Sequence, residues 1–325
     1  MAALQAAKLR SLTRDRVGPD PATRPFPGGA ALVDGAAGWL LFGAEATILL
    51  GGALAWARRS GVSDLNVLVD DPAVAGRLAR QAGLFAAPPT IWRVDGAALV
   101  AATPAPAPVP LPPPEAPELR AVLVDAGLEV VEEDGVLLGE VLGLEVARVS
   151  HGPEGPELSV GVGRFDREVG EMTHGHLAPV DRVARVVDIV TQYRRPDAPP
   201  HPLNQLVPER WLRAALIAAP ARIGASELRA VPSVDGRENL LDAGVATAVG
   251  HDLAGRPLVV AAATGVALDL VSRAGDDRAA HRPEARLVLV VPSRDALPLI
   301  GDMAAALAAP AEVVGLDGEW RVPWR

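Results

Sequence analysis

The segment from residue 201 to residue 220 contains the side chains best suited to hold an anion. Its sequence is HPLNQLVPERWLRAALIAAP, in which a proline is expected to begin a helix. Arg210 and Arg213 lie three residues apart beside Trp211 on that helix, and His201 and Asn204 lie in the loop before it. Two guanidinium groups next to an indole ring can bind a phosphate or a carboxylate. The alternative is that both arginines form ion pairs with an acidic part of the same chain.

A second group of metal-type ligands lies in the sequence GRFDREVGEMTHGHL, residues 163 to 177. Glu168, Glu171, His174 and His176 are the weak candidates, and Glu171 and His174 would share one face of a helix. Their spacing matches no established metal motif. We therefore interpret the segment as a solvated helix end and expect no bound metal.

The sequence lacks the residues that several common catalytic and cofactor-binding sites require. The chain has no cysteine and one lysine, Lys8, which removes thiol nucleophiles, disulfides and cysteine-based metal sites. No Gly-Lys-Ser/Thr sequence is present, and Asp166 stands where a dinucleotide loop beginning at Gly161 would need its third glycine. No Gly-x-Ser-x-Gly occurs either. We expect no cofactor.

Two stretches, residues 31–101 and 245–323, follow the same pattern. Each begins with a hairpin, continues through a helix, a buried strand, a second helix and another strand, and closes with an Asp-Gly turn, at residues 95–96 and 317–318. Strands that alternate with helices predict parallel crossovers within an α/β fold. The sequence thus predicts two duplicated small β-hairpin-α-β-α-β-β units.

Ligands often bind at the carboxyl ends of parallel strands, which draws attention to the polar residues there. These are Glu45, Asp70, Asp95, Thr264, Arg294 and Asp317. Only the Asp-Gly turns match between the two stretches, and turn geometry accounts for them. A duplicated active site is therefore not expected.

The region between the two units predicts an α-antiparallel-meander-α module of the α+β type, residues 118–195. This order is common among chaperone-like and partner-binding domains, and a related order occurs in restriction-endonuclease-like nucleases. Glu140 and Glu145 could supply the acids of such a nuclease, but the region has no lysine to complete the site. An active nuclease is not expected.

The amino-acid composition indicates further boundaries between segments of the chain. Residues 103–117 hold eight prolines in fifteen positions, which predicts an extended linker, with a docking site for a PxxP-reading domain as the alternative. The predicted segments are a basic N-terminal tail (1–27), the first α/β unit (28–103), the linker (104–117), the acidic module (118–195), a basic helical connector (196–240) and the second α/β unit (241–325).

The net charge of −9 is concentrated in the middle of the chain. Residues 118–195 hold fifteen Asp or Glu against eight Arg, whereas residues 194–230 hold six Arg against three acids. An acidic body repels phosphates, so general nucleic acid binding is not expected.

The apolar run at residues 36–57 is long enough to test as a membrane span. The matching stretch of the second unit carries Asp269, however, and the N-terminus has no signal-like apolar stretch, so we expect a cytoplasmic protein without a membrane role.

Two hypotheses of function follow. The first is a soluble, non-catalytic binding or interaction protein with a protein partner. The second is a hydrolase or transferase that acts on an anionic small molecule held by the connector arginines, or a degenerate nuclease-like protein. The absence of a recognised catalytic motif favours the first, and the sequence makes no prediction of oligomeric state.

Overall fold

The computed structural model describes residues 2–43, 50–163, 166–167, 177–236 and 244–321. Within these residues the protein is a mixed α/β structure with three sheets and eight α-helices, which confirms the predicted class. The chain divides into two compact units. Unit 1 comprises residues 1–107, 268–276 and 297–312, and unit 2 comprises residues 108–267, 277–296 and 313–325.

Unit 1 is built on a six-stranded sheet whose strands lie in chain order. The strands are β1 (Ala22–Arg24), β2 (Gly29–Asp34), β3 (Ala37–Phe42), β4 (Asp64–Val69), β5 (Thr90–Asp95) and β6 (Ala98–Ala101). The pairs β3/β4 and β4/β5 are parallel, and the outer pairs are antiparallel. A parallel centre with antiparallel edges is the arrangement that the alternation of strands and helices predicts.

The helices of unit 1 come from distant parts of the chain. They are α1 (Ala2–Thr13), α2 (Leu50–Ser60), α3 (Pro72–Ala82), the first part of α7 (Leu270–His281) and α8 (Pro298–Ala305). Helix α3 begins as its sequence predicts, because the side chain of Asp71 accepts hydrogen bonds from the backbone N–H groups of Ala73 and Val74.

The segment predicted as a basic N-terminal tail contains helix α1 and strand β1. Leu9 of α1 is fully buried among residues of β2, β3 and β4, and the hydroxyl of Thr13 donates to the carbonyl of Leu9. Leu4 of the same helix is 73% exposed, so the apolar side chains of α1 do not all face the sheet. The helix is thus held by a narrow contact that the sequence pattern did not reveal.

Residues 268–276 and 297–312 are fixed to the rest of unit 1 by specific contacts. Arg80 of α3 donates through Nε and Nη2 to the buried carboxylate of Asp276 at 2.8–3.2 Å. The backbone N–H of Gly51 donates to Asp269, and a Cβ atom at Gly51 would lie 2.0 Å from the carbonyl oxygen of Leu268. The absence of a side chain at Gly51 is therefore required for this close approach.

The first part of unit 2 is a four-stranded antiparallel meander in the order β10-β9-β8-β7. Its strands are β7 (Glu129–Glu133), β8 (Val136–Val141), β9 (Leu144–Gly152) and β10 (Gly155–Val160). Helices α4 (Pro117–Asp125) and α5 (Pro179–Tyr193) pack on it through a core that includes Leu123, Val146 and Val183. These elements are the α-meander-α order that the sequence predicts.

The second part of unit 2 is a five-stranded sheet in chain order. Its strands are β11 (Ala225–Val231), β12 (Ala246–Asp252), β13 (Pro257–Ala262), β14 (Arg286–Pro292) and β15 (Glu312–Leu316). Helix α6 (Pro208–Ala218) packs on this sheet through Trp211, Leu212 and Leu216. Short 3-10 turns lie at Pro202–Asn204, Pro220–Ile223 and Ser293–Asp295.

The apolar run at residues 36–57 does not form one long helix in its described part, because strand β3 occupies its beginning and helix α2 its end. Across the residues that the structure describes, no helix combines the length and the apolar composition that crossing a bilayer requires.

Candidate functional site

The connector arginines of helix α6 form ion pairs with the meander, all within unit 2. Arg210 donates to Glu133 on β7 at 2.6 Å and to Glu140 on β8 at 2.8 Å. Arg213 donates to the other carboxylate oxygen of Glu140 at 2.9 Å. These four residues are called the arginine–glutamate cluster below. These contacts are those expected if the arginines hold two segments of the chain together.

The arginine–glutamate cluster is almost completely shielded from solvent. The side chains of Glu140 and Arg213 are 0% and 3% exposed, and that of Arg210 is 14% exposed. Burial alone would raise the pKa of Glu140, yet the charges of Arg213 and Arg210 and their hydrogen bonds bring it below its usual range. Burial would lower the pKa of Arg210, but the charges of Glu140 and Glu133 raise it. The ionised form of each partner is thus stabilised by the other.

The remaining predicted ligands lie in different surroundings. Trp211 is 1% exposed and packs edge to face against Trp320, with ring centroids 6.1 Å apart, so its indole belongs to the core. His201 stacks on Tyr193 with ring centroids 3.9 Å apart, and its Nδ1 accepts the backbone N–H of Leu203. The side-chain oxygen of Asn204 is buried without a hydrogen-bond partner. The contacts that the structure gives these side chains are internal, and their role in ligand binding stays a prediction.

Sequence reasoning missed Arg194, which is buried close to the same helix. Its guanidinium donates to the carbonyl oxygens of Leu142, Leu203, Leu206 and Val207 at 2.7–3.4 Å. Its Cζ atom lies 4.7 Å from the centroid of the Trp211 ring. Burial lowers the pKa of Arg194 to about 10. No pattern in the sequence marks this residue, because all its hydrogen-bond partners are backbone groups.

The carboxylates considered for a nuclease form a row across the meander. Strand register pairs Glu129 with Glu140 and Glu140 with Glu145, which places the three on one face of the sheet. Glu145 accepts hydrogen bonds from Arg148 at 2.9–3.0 Å and from Arg167 at 2.8 Å. Burial, together with the charge of Glu140, raises the pKa of Glu129. Both carboxylates that would hold a nuclease metal are therefore bound by guanidinium groups.

Metal binding finds no support in the part of the chain that the structure describes, where no group of three or more His, Asp or Glu side chains could hold an ion. The weak candidates Glu168, Glu171, His174 and His176 lie outside the described residues.

A cleft of about 150 Å³ lies in unit 2 at the ends of strands β14 and β15. It includes Arg294, one of the residues expected at strand ends, and the hydroxyl of the neighbouring Ser293 donates to Asp317 at 2.6 Å. Ligand pockets are usually about 300 Å³ or larger, so this cleft is small for a substrate. Its two arginines, Arg294 and Arg321, are accompanied by the carboxylate of Glu319.

Comparison with known proteins identifies no relative: no family model matches the chain, and neither a curated protein nor a solved structure shows significant similarity to it.

Proposed function

We propose that the protein is a non-catalytic binding protein that recruits a basic protein partner through the acidic surface of its meander module, residues 118–195. The observation that carries this proposal is the charge of that surface. Nine acidic residues of the module are exposed among its described residues, against the exposed arginines Arg185 and Arg195, while Arg120 and Arg148 are partly exposed and paired with glutamates. The exposed acids are Glu118, Asp125, Glu132, Asp134, Glu154, Glu157, Asp166, Asp181 and Asp188.

The exposed described residues of the module carry the same acidic excess as its whole sequence, nine acids against two arginines compared with fifteen against eight. Arg194 is 1% exposed, and Arg148 and Arg167 form ion pairs with Glu145. Acidic surfaces attract basic partners, accelerate their association and discriminate against acidic proteins. The geometry thus supports a role in electrostatic recognition.

The arginine–glutamate cluster argues against the enzyme hypothesis. An anionic substrate that reached Arg210 or Arg213 would have to displace Glu140, whose carboxylate is fully buried and bonded to both. That displacement would leave a buried carboxylate without its partners, which costs several kcal/mol. The cluster is better suited to fasten helix α6 to the meander than to bind a ligand.

The two α/β stretches are, in this proposal, a duplicated scaffold for the acidic module. Strands β2, β3 and β4 pair first antiparallel and then parallel, and β12, β13 and β14 do the same. Phe85 and Leu307 form an antiparallel bridge, and each is followed ten residues later by an Asp-Gly turn, at 95–96 and 317–318.

The hydrogen bonds around that bridge are reciprocal, and all of them lie within unit 1. The N–H of Ala86 donates to the carbonyl of Ala306, and the N–H of Ala308 donates to the carbonyl of Leu84. This pattern is that of any antiparallel bridge. The support for duplication therefore lies in the equal spacing of ten residues between each bridge residue and its Asp-Gly turn.

Charge reversal on the helices of the module tests the proposed function. The full-length variant Asp125→Lys/Asp181→Lys/Asp188→Lys changes three exposed carboxylates. A matched control, Asp15→Lys/Asp20→Lys/Asp95→Lys, makes the same change of charge at exposed positions of unit 1. Each protein is used, without cross-linking, to capture partners from a lysate of its source cells at low and at high salt.

The expected result is a basic partner that the wild type and the control capture, that the module variant does not capture, and that high salt releases. Capture of the same partner by the module variant would refute the proposed role of the acidic surface. A partner that resists high salt would also refute it.

A further inference from the structure

The linker between residues 103 and 117 has a conformation that its sequence dictates. From Thr103 to Pro113 every residue is either a proline or the residue before a proline. Proline fixes its own φ near −65°, and it disfavours the helical region for the residue that precedes it. The remaining conformation is the polyproline II helix, which has three residues per turn and no internal hydrogen bonds. In agreement, residues 102–116 contain neither helix nor strand.

Part of this linker is fully presented to solvent. Residues 108–112, with the sequence Pro-Val-Pro-Leu-Pro, are all exposed, and we call them the proline segment. The side chain of Val109 is 85% exposed and that of Leu111 is 64% exposed. With three residues per turn, Val109 and Pro112 lie on one ridge of the polyproline helix, and Pro110 lies on the ridge beside it, in line with Pro113. Both ridges are exposed within the proline segment, and Pro113 just beyond it is half-buried.

The proline segment is also held in place at one end. The carbonyl oxygen of Leu111 accepts the backbone N–H of Gly135, in the turn between β7 and β8, at 2.9 Å. A Cβ atom at residue 135 would lie 3.2 Å from the Cβ of Leu111, and Gly135 has a positive φ of 81°. Pro114, two residues beyond the segment, is buried. The C-terminal end of the proline segment is thus fixed against the turn between β7 and β8.

We propose that the proline segment is a docking site for a partner domain that reads polyproline II helices through an aromatic-lined groove. Such grooves recognise a preformed, rigid helix with a PxxP spacing, and Pro110 and Pro113 provide that spacing with Val109 before them. A segment that is already extended and anchored loses little conformational freedom on binding. The exposed Val109 and Pro110 lie on these two ridges, and such a groove would cover them.

The charge of residues 103–117 limits which partner domains could bind the proline segment. Residues 103–117 contain no lysine or arginine, and Glu115 is their single charged residue. The groove would therefore recognise prolines and aliphatic side chains with a neutral or basic rim. This site goes beyond the proposed function, because it uses different residues and a different kind of contact from those of the acidic surface.

Binding to isolated polyproline readers tests the proposal. The probes are a panel of purified WW, SH3 and EVH1 domains, titrated with the full-length protein and, separately, with a synthetic peptide of residues 103–117. The test variant is Val109→Asp/Pro110→Ala. The matched control is Leu253→Asp, which introduces the same charge at a leucine that is 72% exposed elsewhere in unit 2.

We expect at least one domain to bind the full-length protein with an affinity within about tenfold of that for the peptide, since the segment is already exposed. The test variant should bind that domain at least about tenfold more weakly, with an unchanged melting temperature, and the control should bind like the wild type. Binding to the peptide without binding to the full-length protein would overturn the proposal, as would binding to neither. The charge-reversed variant of the acidic surface should bind the same domain normally, so the two proposals can fail separately.

Discussion

Arg194 and Arg210 are both buried arginines of unit 2, yet their surroundings shift the pKa in opposite directions. Arg210 is held by two carboxylates, whose charges raise its pKa. Arg194 is held by four neutral carbonyl oxygens, and burial lowers its pKa to about 10. A buried guanidinium can thus be hydrogen-bonded by carboxylates or by carbonyl groups, and only the hydrogen bonds to carboxylates depend on the ionisation of their partners.

The largest expected effect comes from removing the charge of Arg210. The substitution Arg210→Met leaves the partly buried carboxylate of Glu133 without this guanidinium and the fully buried carboxylate of Glu140 with Arg213 alone. At pH 7 we expect the free energy of unfolding to fall by about 3–5 kcal/mol, as for other broken buried pairs. Urea unfolding at pH 7 and pH 4 measures this effect.

The loss should be smaller at pH 4. The pKa of Glu140 is lowered in the folded protein, so its stabilising contribution is present above the unfolded value of 4.5 and is lost as the pH falls through the folded pKa. A control, Arg120→Met, breaks the exposed pair with Glu132 and should cost less than about 1 kcal/mol. Equal costs for the two variants would contradict the structural role of the cluster.

Removing Arg194 should have a smaller effect with a different pH dependence. The substitution Arg194→Met leaves the carbonyl oxygens of Leu142, Leu203 and Leu206 without this donor, at a cost of about 2–3 kcal/mol. Carbonyl groups do not titrate, so the cost should be the same at pH 4 and pH 8. Unfolding curves at both values measure it, and a cost that changes by more than about 1 kcal/mol between them would show that Arg194 depends on a carboxylate after all.

Asp277 is a buried carboxylate whose hydrogen-bond donors are uncharged, and it can be compared with the two buried arginines. Asp277 accepts hydrogen bonds from the hydroxyl of Ser233 at 3.0 Å, from the N–H of Val234 at 2.7 Å and from the hydroxyl of Thr247. Burial raises its pKa to about 6 in spite of these bonds. A raised pKa means that the stabilising contribution is fully present below the unfolded value of 3.8 and is lost as the pH rises to about 6.

The substitution Asp277→Asn should therefore increase stability at pH 8, by an amount on the order of 2 kcal/mol, and should change it little at pH 4. Asparagine keeps a similar shape and does not ionise. Thermal unfolding across this pH range measures the effect, with the exposed Asp188→Asn as the control. A destabilised variant at pH 8 would mean that the ionised carboxylate of Asp277 is needed by the fold.

The sequence predicts much of the fold and less of the candidate site. The elements of residues 118–195 follow the predicted α-meander-α order, and helix α6 begins at a proline of the connector, Pro208. These features depend on local periodicity and on proline. Helix α1 was missed because Leu9 is its one fully buried leucine, with Ala6 and Leu12 only partly buried and Leu4 exposed, which gives a weak apolar periodicity.

The partners of Arg210 could be foreseen only as a class. An ion pair with the acidic module was one of two alternatives, but the sequence does not tell which glutamates take part. Glu132 and Glu133 are neighbours on β7 and therefore point to opposite faces, so that Glu132 pairs with Arg120 and Glu133 with Arg210. The choice depends on the packing of helix α6, some seventy residues later in the chain.

Thermal unfolding in the presence of pyrophosphate tests most directly whether the arginine–glutamate cluster only joins helix α6 to the meander or also binds anions. Wild type and Arg210→Gln are compared from about 0.1 to about 10 mM pyrophosphate at constant ionic strength, because a ligand that binds the folded state raises the melting temperature by mass action. We expect no saturable rise of the melting temperature for either protein, because Glu133 and Glu140 already bind the guanidinium groups. A saturable rise of several degrees in the wild type that disappears in Arg210→Gln would contradict this expectation.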